Sequence, residues 1–132
     1  MHTIDNNKSF LKMDPPDIRQ VVLTIQYWIP HDGIGPGYRP RFEEIRSLLE
    51  AKFGDKIAVF PQEAPGLIGF FEVRVLPRDR QWTAWRGSHL QGKLLHSKDN
   101  GDGFIDTDAK LNKVIKAVED ELAARRRYIE SC

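Results

Sequence analysis

The hydrophobic period of this chain changes early and sharply, and that change limits the layers it can build. Residues 21–28, Val-Val-Leu-Thr-Ile-Gln-Tyr-Trp, are β-branched and aromatic, as a buried strand requires. Residues 29–39 then carry three glycines and two prolines, which forbid a regular element and favour a structured turn. Beyond Pro40, which suits a helix first turn, Phe42, Ile45, Leu48, Leu49 and Phe53 recur at three-and-four spacing, and Gly54 supplies a stop. The pattern predicts a strand, a turn and an amphipathic helix.

Residues 56–60 read as a short apolar strand closed by Pro61, and residues 68–76 as a longer one in which Phe71, Val73 and Val75 alternate with Phe70, Glu72 and Arg74. A further strand is expected at 92–97 and a turn at 99–103. Asp106 or Thr107 can cap a last helix whose apolar stripe is Leu111, Val114, Ile115, Val118 and Leu122. The order is β-α-β-β-β-α, an α/β (α+β) chain with no internal repeat.

At 132 residues and 40% apolar content the chain can bury one ordinary core. The expected organisation is an extended N-terminal arm over 1–19, marked by Asp14-Pro15-Pro16-Asp17, a folded domain over 20–124, and a helix end or tail over 125–132. Lys and Arg number 20 against 19 Asp and Glu, so no global field draws the chain to nucleic acid or anionic lipid. No apolar run approaches the roughly 20 residues that span a bilayer. The first twenty residues hold Asp5, Asp14 and Asp17 and no apolar core of a secretory signal, so the cytoplasm is the expected compartment, with a mitochondrial or other organellar assembly as the alternative. The lone cysteine, Cys132, is the last residue, which excludes an internal disulfide, a Cys-x-x-Cys motif or a cysteine cage within one chain.

Gly69-Phe70-Phe71-Glu72-Val73, then residues 92–98, Gly-Lys-Leu-Leu-His-Ser-Lys, running into Gly101-Asp102-Gly103-Phe104-Ile105-Asp106-Thr107, closely resemble the second half of the selenoprotein W-like family. The resemblance covers roughly 20–122 and is strongest over 66–118. It implies a thioredoxin-like β-α-β-β-β-α two-layer sandwich, the order already obtained from periodicity.

The resemblance also implies a redox centre between the first strand and helix, written in the family as Tyr-Cys-x-x-selenocysteine-Gly-Tyr. Here Tyr27 and Tyr38 match the two tyrosines, but Trp28 follows the first, and the loop, with His31, Asp32, Gly33, Pro36 and Gly37, is about five residues longer. Neither thiol has a counterpart. Thiol–disulfide exchange needs a thiolate, favoured at a helix N-terminus, and His, Asp, Pro or Gly cannot replace it.

Where the family joins its last two strands by a tight turn, this chain inserts residues 77–90, with Arg78, Arg80, Trp82, Trp85 and Arg86. Trp and Arg are enriched in interface hot spots, so these five residues are the candidate partner-binding set; the plainer alternative is a long hairpin whose tryptophans fold back on their own domain.

Other signals fall to simpler readings. Aligning Gly103 with the sixth position of a calcium loop puts Lys98 first and Ala109 last, where an acidic ligand and a bidentate Glu are required. His2, His31, His89 and His96 show no metal-binding spacing, and His96 reads as structural. His31 and Asp32 could do acid–base work but have no nucleophile beside them. Arg125-Arg126-Arg127, among Glu119, Asp120, Glu121 and Glu130, reads as a solvated or partner-facing helix end.

These features together lead us to expect a redox-inactive domain, without cofactor or metal, that serves as an accessory subunit or adaptor in a larger protein assembly. The alternative is a thiol oxidoreductase working through Cys132 or a partner's cysteine. Single-stranded nucleic-acid binding by Trp82, Trp85 and Arg86 has stacking chemistry behind it, but the near-neutral charge argues against it.

Overall fold

A computed structural model describes residues 20–76, 92–98, 101 and 103–130 of the chain. The elements are β1 (Val21–Ile29), α1 (Arg39–Phe53), a single 3-10 turn (Gly54–Lys56), β2 (Ile57–Pro65), β3 (Phe71–Val75), β4 (Lys93–Ser97) and α2 (Asp108–Glu130). They form a four-stranded sheet in the order β2-β1-β3-β4. β1 and β2 are parallel, as a helical crossover requires, while β1 with β3 and β3 with β4 are antiparallel. This is the mixed-sheet α+β architecture expected of a thioredoxin-like fold. The arm over 1–19, the insertion with Arg78, Arg80, Trp82, Trp85 and Arg86, and Cys132 lie outside the described residues.

The period-2 pattern of β1 puts Val21, Leu23, Ile25 and Tyr27 on one face, where Phe42, Ile45 and Leu49 of α1 and Val114 and Val118 of α2 meet them in a single buried cluster. Both helices therefore cover the same side of the sheet. On the opposite face Val22, Phe60 and Leu76 form a second, smaller buried group with Ala58. Burial of each large apolar side chain supplies roughly 1.5–3 kcal/mol, so the first cluster dominates the stability of the domain.

Four details depart from the expected elements. β2 does not stop at Pro61 but continues to Pro65, with Pro61 opposite Ile25. It is an edge strand among the described residues, where a residue without an N–H disturbs only one side of the ladder. β3 starts at Phe71 rather than at 68, because Gly66 and Gly69 adopt φ of 77° and 85° in a turn that leaves Ile68 85% exposed. Leu48 of the predicted α1 stripe is 47% exposed. Finally, Arg125 is not a solvated helix end: it is only 3% exposed.

The caps agree with the sequence. Gly54, at φ 60°, donates its N–H to the Glu50 carbonyl and closes α1. Thr107 accepts from the Lys110 N–H at 3.2 Å, so it caps α2, while Asp106 instead pairs with Lys110 Nζ at 3.0 Å. That ammonium holds the Asp106 carboxyl below its usual range.

Candidate functional site

The loop between β1 and α1 is tied down by its own backbone. Tyr38 N–H donates to the Trp28 carbonyl at 2.8 Å, Gly33 N–H to Pro30 at 3.1 Å and Arg39 N–H to Pro36 at 3.0 Å. Asp32 Oδ1 accepts from the Ile34 N–H at 2.9 Å, an Asx turn. Gly37 lies where the loop folds back on β1: its φ is 55°, and a Cβ there would stand 2.4 Å from the Trp28 oxygen and 2.6 Å from the Ile29 Cα. No other residue fits without moving the strand end.

Trp28, Pro30, His31, Asp32, Gly66 and Ile68 line a shallow cleft of about 490 Å³ beside this loop. His31 packs over Gly66, and Ile34, Leu67 and Ile68 stand exposed nearby. The indole N–H of Trp28 is enclosed and has no acceptor among the described residues. His31 and Asp32 thus share one cleft, but no hydrogen bond joins them. Residues 28–38 contain no Ser, Thr, Lys or Cys, so the groups with acid–base chemistry that line the cleft are His31 and Asp32. Among the described residues no group of His, Cys, Asp and Glu could hold a metal ion.

The motif residues that carry the family resemblance meet in one place, and they meet as packing. Tyr38 stands edge-on to Trp28 at 5.2 Å and to Phe104 at 4.8 Å. Phe104 in turn contacts Phe71 at 5.6 Å, and Phe71 faces His96 at 6.3 Å. Buried His96 shares a 2.7 Å hydrogen bond between Nε2 and the Gly103 carbonyl, so it latches the turn before α2 onto β4. Arg41 lies over the Phe104 ring at 4.6 Å and Lys98 Nζ at 5.6 Å, contacts worth about 0.5–1 kcal/mol each at exposed sites. Ser97 donates to Glu72 across β3 and β4 at 3.2 Å.

Beneath the loop, Tyr27 stacks on Phe42 at 5.1 Å, and its hydroxyl donates to Glu63 Oε2 at 3.3 Å. The same Glu63 oxygen pairs with Arg39. Burial is the main reason the Tyr27 phenol is pushed up to about 12.

At the opposite end of the sheet Arg125, which the sequence places in a solvated or partner-facing helix end, is buried. Arg125 Nη1 donates to the Gln20 carbonyl at 2.5 Å, Nη2 to the Leu76 carbonyl at 3.1 Å, and Nε to Glu121 at 3.2 Å. Gln20 precedes β1, where residues 1–19 join the domain, and Leu76 follows β3, just before the insertion begins. Gly92, where the insertion returns, lies against β3: its carbonyl accepts from Arg74 Nη1 at 2.9 Å. One guanidinium thus gathers the roots of two appended segments against the last turns of α2, whose own end leads to Cys132.

No family model matches the chain. Selenoprotein W of Danio rerio is 34% identical over 100 residues, which cover 76% of this chain and 98% of that protein. Selenoprotein W of Gallus gallus is 38% identical over 86 residues, 65% of this chain and 84% of that protein, and that of Ovis aries is 33% identical over 87 residues, 66% and 83%. With this identity over nearly the whole of the relatives and the packing of Phe71, His96 and Phe104 on one side of one sheet, the chain belongs to the selenoprotein W family.

Proposed function

We propose that this chain is a redox-inactive selenoprotein W-like domain that acts as an accessory subunit or adaptor in a protein assembly. The observation that carries it is the convergence at Arg125: the N-terminal arm, the Arg/Trp insertion and the C-terminal end of α2 all depart from the end of the sheet opposite the former redox loop. A chain that has kept the fold, carries no thiol in the loop where its family works, and roots its added segments at Gln20 and Leu76 at the far end suits docking better than turnover. Arg78, Arg80, Trp82, Trp85 and Arg86 are the proposed contacts, since Trp and Arg supply most hot-spot energy.

The test is retention in the native complex. Deleting 77–90, or replacing Trp82, Trp85 and Arg86 together with Ala in case the shortened hairpin fails to fold, is expected to release the chain from co-purifying protein by at least tenfold. Unchanged assembly by a folded triple variant would overturn the adaptor role.

A further inference from the structure

We infer that the cleft between Trp28, His31 and Ile68 docks a protein segment in which a large apolar side chain is flanked by lysine or arginine. This rests on the adaptor role above and gives it a second surface, at the end of the sheet opposite Arg125.

The cleft is preformed. One wall is the loop after β1 and the other is the turn between β2 and β3, and backbone bonds stitch the two together: Gly66 N–H donates to the Ile29 carbonyl at 3.0 Å and Trp28 N–H to the Phe70 carbonyl at 2.8 Å. Within the turn, Leu67 N–H donates to the Ala64 carbonyl at 3.3 Å and Phe70 N–H to the Leu67 carbonyl at 3.1 Å. A site already ordered gives up little conformational freedom when it is filled.

Its rim is apolar where exposed apolar groups are otherwise scarce. The large apolar side chains exposed among the described residues are Ile34, Leu67 and Ile68, all beside this cleft, and Leu48 on α1. Exposed apolar groups gathered in one place mark a surface that a partner covers. The walls of Trp28, Pro30 and Ile68 and the volume of about 490 Å³ suit a Leu, Met or Phe side chain.

Charge selects the neighbours of that side chain. Asp32 is exposed at the mouth, and the Ile34 N–H, 2.9 Å from Oδ1, orients its carboxylate and leaves a second oxygen to accept another donor. Close by, Arg39 and Glu63 satisfy each other, and Lys98 lies over the Phe104 ring. The residues lining the cleft include no lysine or arginine. A phosphate or an acidic segment therefore meets Asp32 without a compensating cation, whereas an ammonium or guanidinium finds its acceptor.

Amide NMR titration of the full chain near neutral pH with three end-capped pentapeptides, Gly-Lys-Phe-Lys-Gly, Gly-Glu-Phe-Glu-Gly and Gly-Lys-Ala-Lys-Gly, tests this. The first should shift the amides around Trp28, His31, Ile34 and Ile68 and bind about tenfold more tightly than either of the others. Asp32→Asn keeps an acceptor for the Ile34 N–H and removes the charge, so it should bring the two Phe peptides within about twofold of each other. Ile68→Ser, at a side chain 85% exposed, should weaken both Phe peptides about fivefold. Shifts centred elsewhere, equal binding of the alanine peptide, or a lysine preference that survives Asp32→Asn would overturn the inference. In the native complex, partners kept by the Asp32→Asn/Ile68→Ser variant but released by the Trp82, Trp85 and Arg86 variant would overturn the cleft as a second surface and leave the adaptor role standing. Partners kept by both would overturn both.

Discussion

The guanidinium of Arg125 donates to the carbonyl oxygen of Gln20, a residue 105 positions earlier in the chain, at 2.5 Å. With the Leu76 carbonyl as its second acceptor, it satisfies two backbone groups where strands begin and end, and buried carbonyls left without a donor are costly. Arg125→Met should therefore lower the unfolding free energy by about 2–4 kcal/mol. Arg125→Lys should recover less than half, because an ammonium lacks the planar fork. Urea unfolding of the three proteins checks this; an Arg125→Met variant within about 0.5 kcal/mol of the parent, the range of ordinary surface changes, would show that the bonds are dispensable.

Gly37 and Gly54 separate two costs. Both have positive φ, but a Cβ at Gly54 meets nothing within 4 Å while one at Gly37 meets the Trp28 carbonyl at 2.4 Å. Gly54→Ala should cost about 1–3 kcal/mol of backbone strain alone, and Gly37→Ala more than that, since the end of β1 must also move. Thermal melting of both variants gives the comparison, and equal losses would mean the loop is free to relax.

Tyr27 predicts an alkaline limit to stability. Its phenol ionises at about 12 in the folded chain against 10.0 ordinarily, so folding favours the neutral form. That contribution is complete below pH 10 and is lost as pH climbs from 10 toward 12. At about 1.4 kcal/mol per pKa unit it amounts to roughly 2–3 kcal/mol. Tyr27→Phe should flatten this part of the stability profile, which denaturant midpoints measured across that window would reveal.

Cys132 is the only sulfur available for thiol chemistry. In a glutathione-coupled reduction assay the full chain should run at the rate of the buffer blank, and Cys132→Ser should change nothing. Turnover that disappears with that sulfur would replace the adaptor role with an oxidoreductase one.

Much of this fold could be read from spacing. Phe71, Val73 and Val75 are buried while Glu72 and Arg74 between them are half-buried, and Phe42, Ile45 and Leu49 form the inner face of α1. Pro61 was misjudged because whether a strand tolerates proline depends on its place in the sheet, which local sequence does not encode. Arg125, taken for part of a solvated or partner-facing helix end, was the larger misreading, and a signal existed: it falls three residues beyond Leu122 and seven beyond Val118, on the inward stripe of α2. Charge masked periodicity. At the other end, the loop between Tyr27 and Tyr38 could be located by resemblance, but the cleft depends on His31 reaching Gly66 across 35 positions, a long-range contact with no local signature.

Pro61 and Pro65 have a further consequence for how the protein behaves at high concentration. A border strand offers unused hydrogen-bonding groups to any second chain that arrives extended, and runaway sheet growth begins from such borders. β2 pairs only with β1 among the described residues, and its two prolines interrupt the row of amides that a newcomer would need. On that flank the molecule is built to resist fibril seeding.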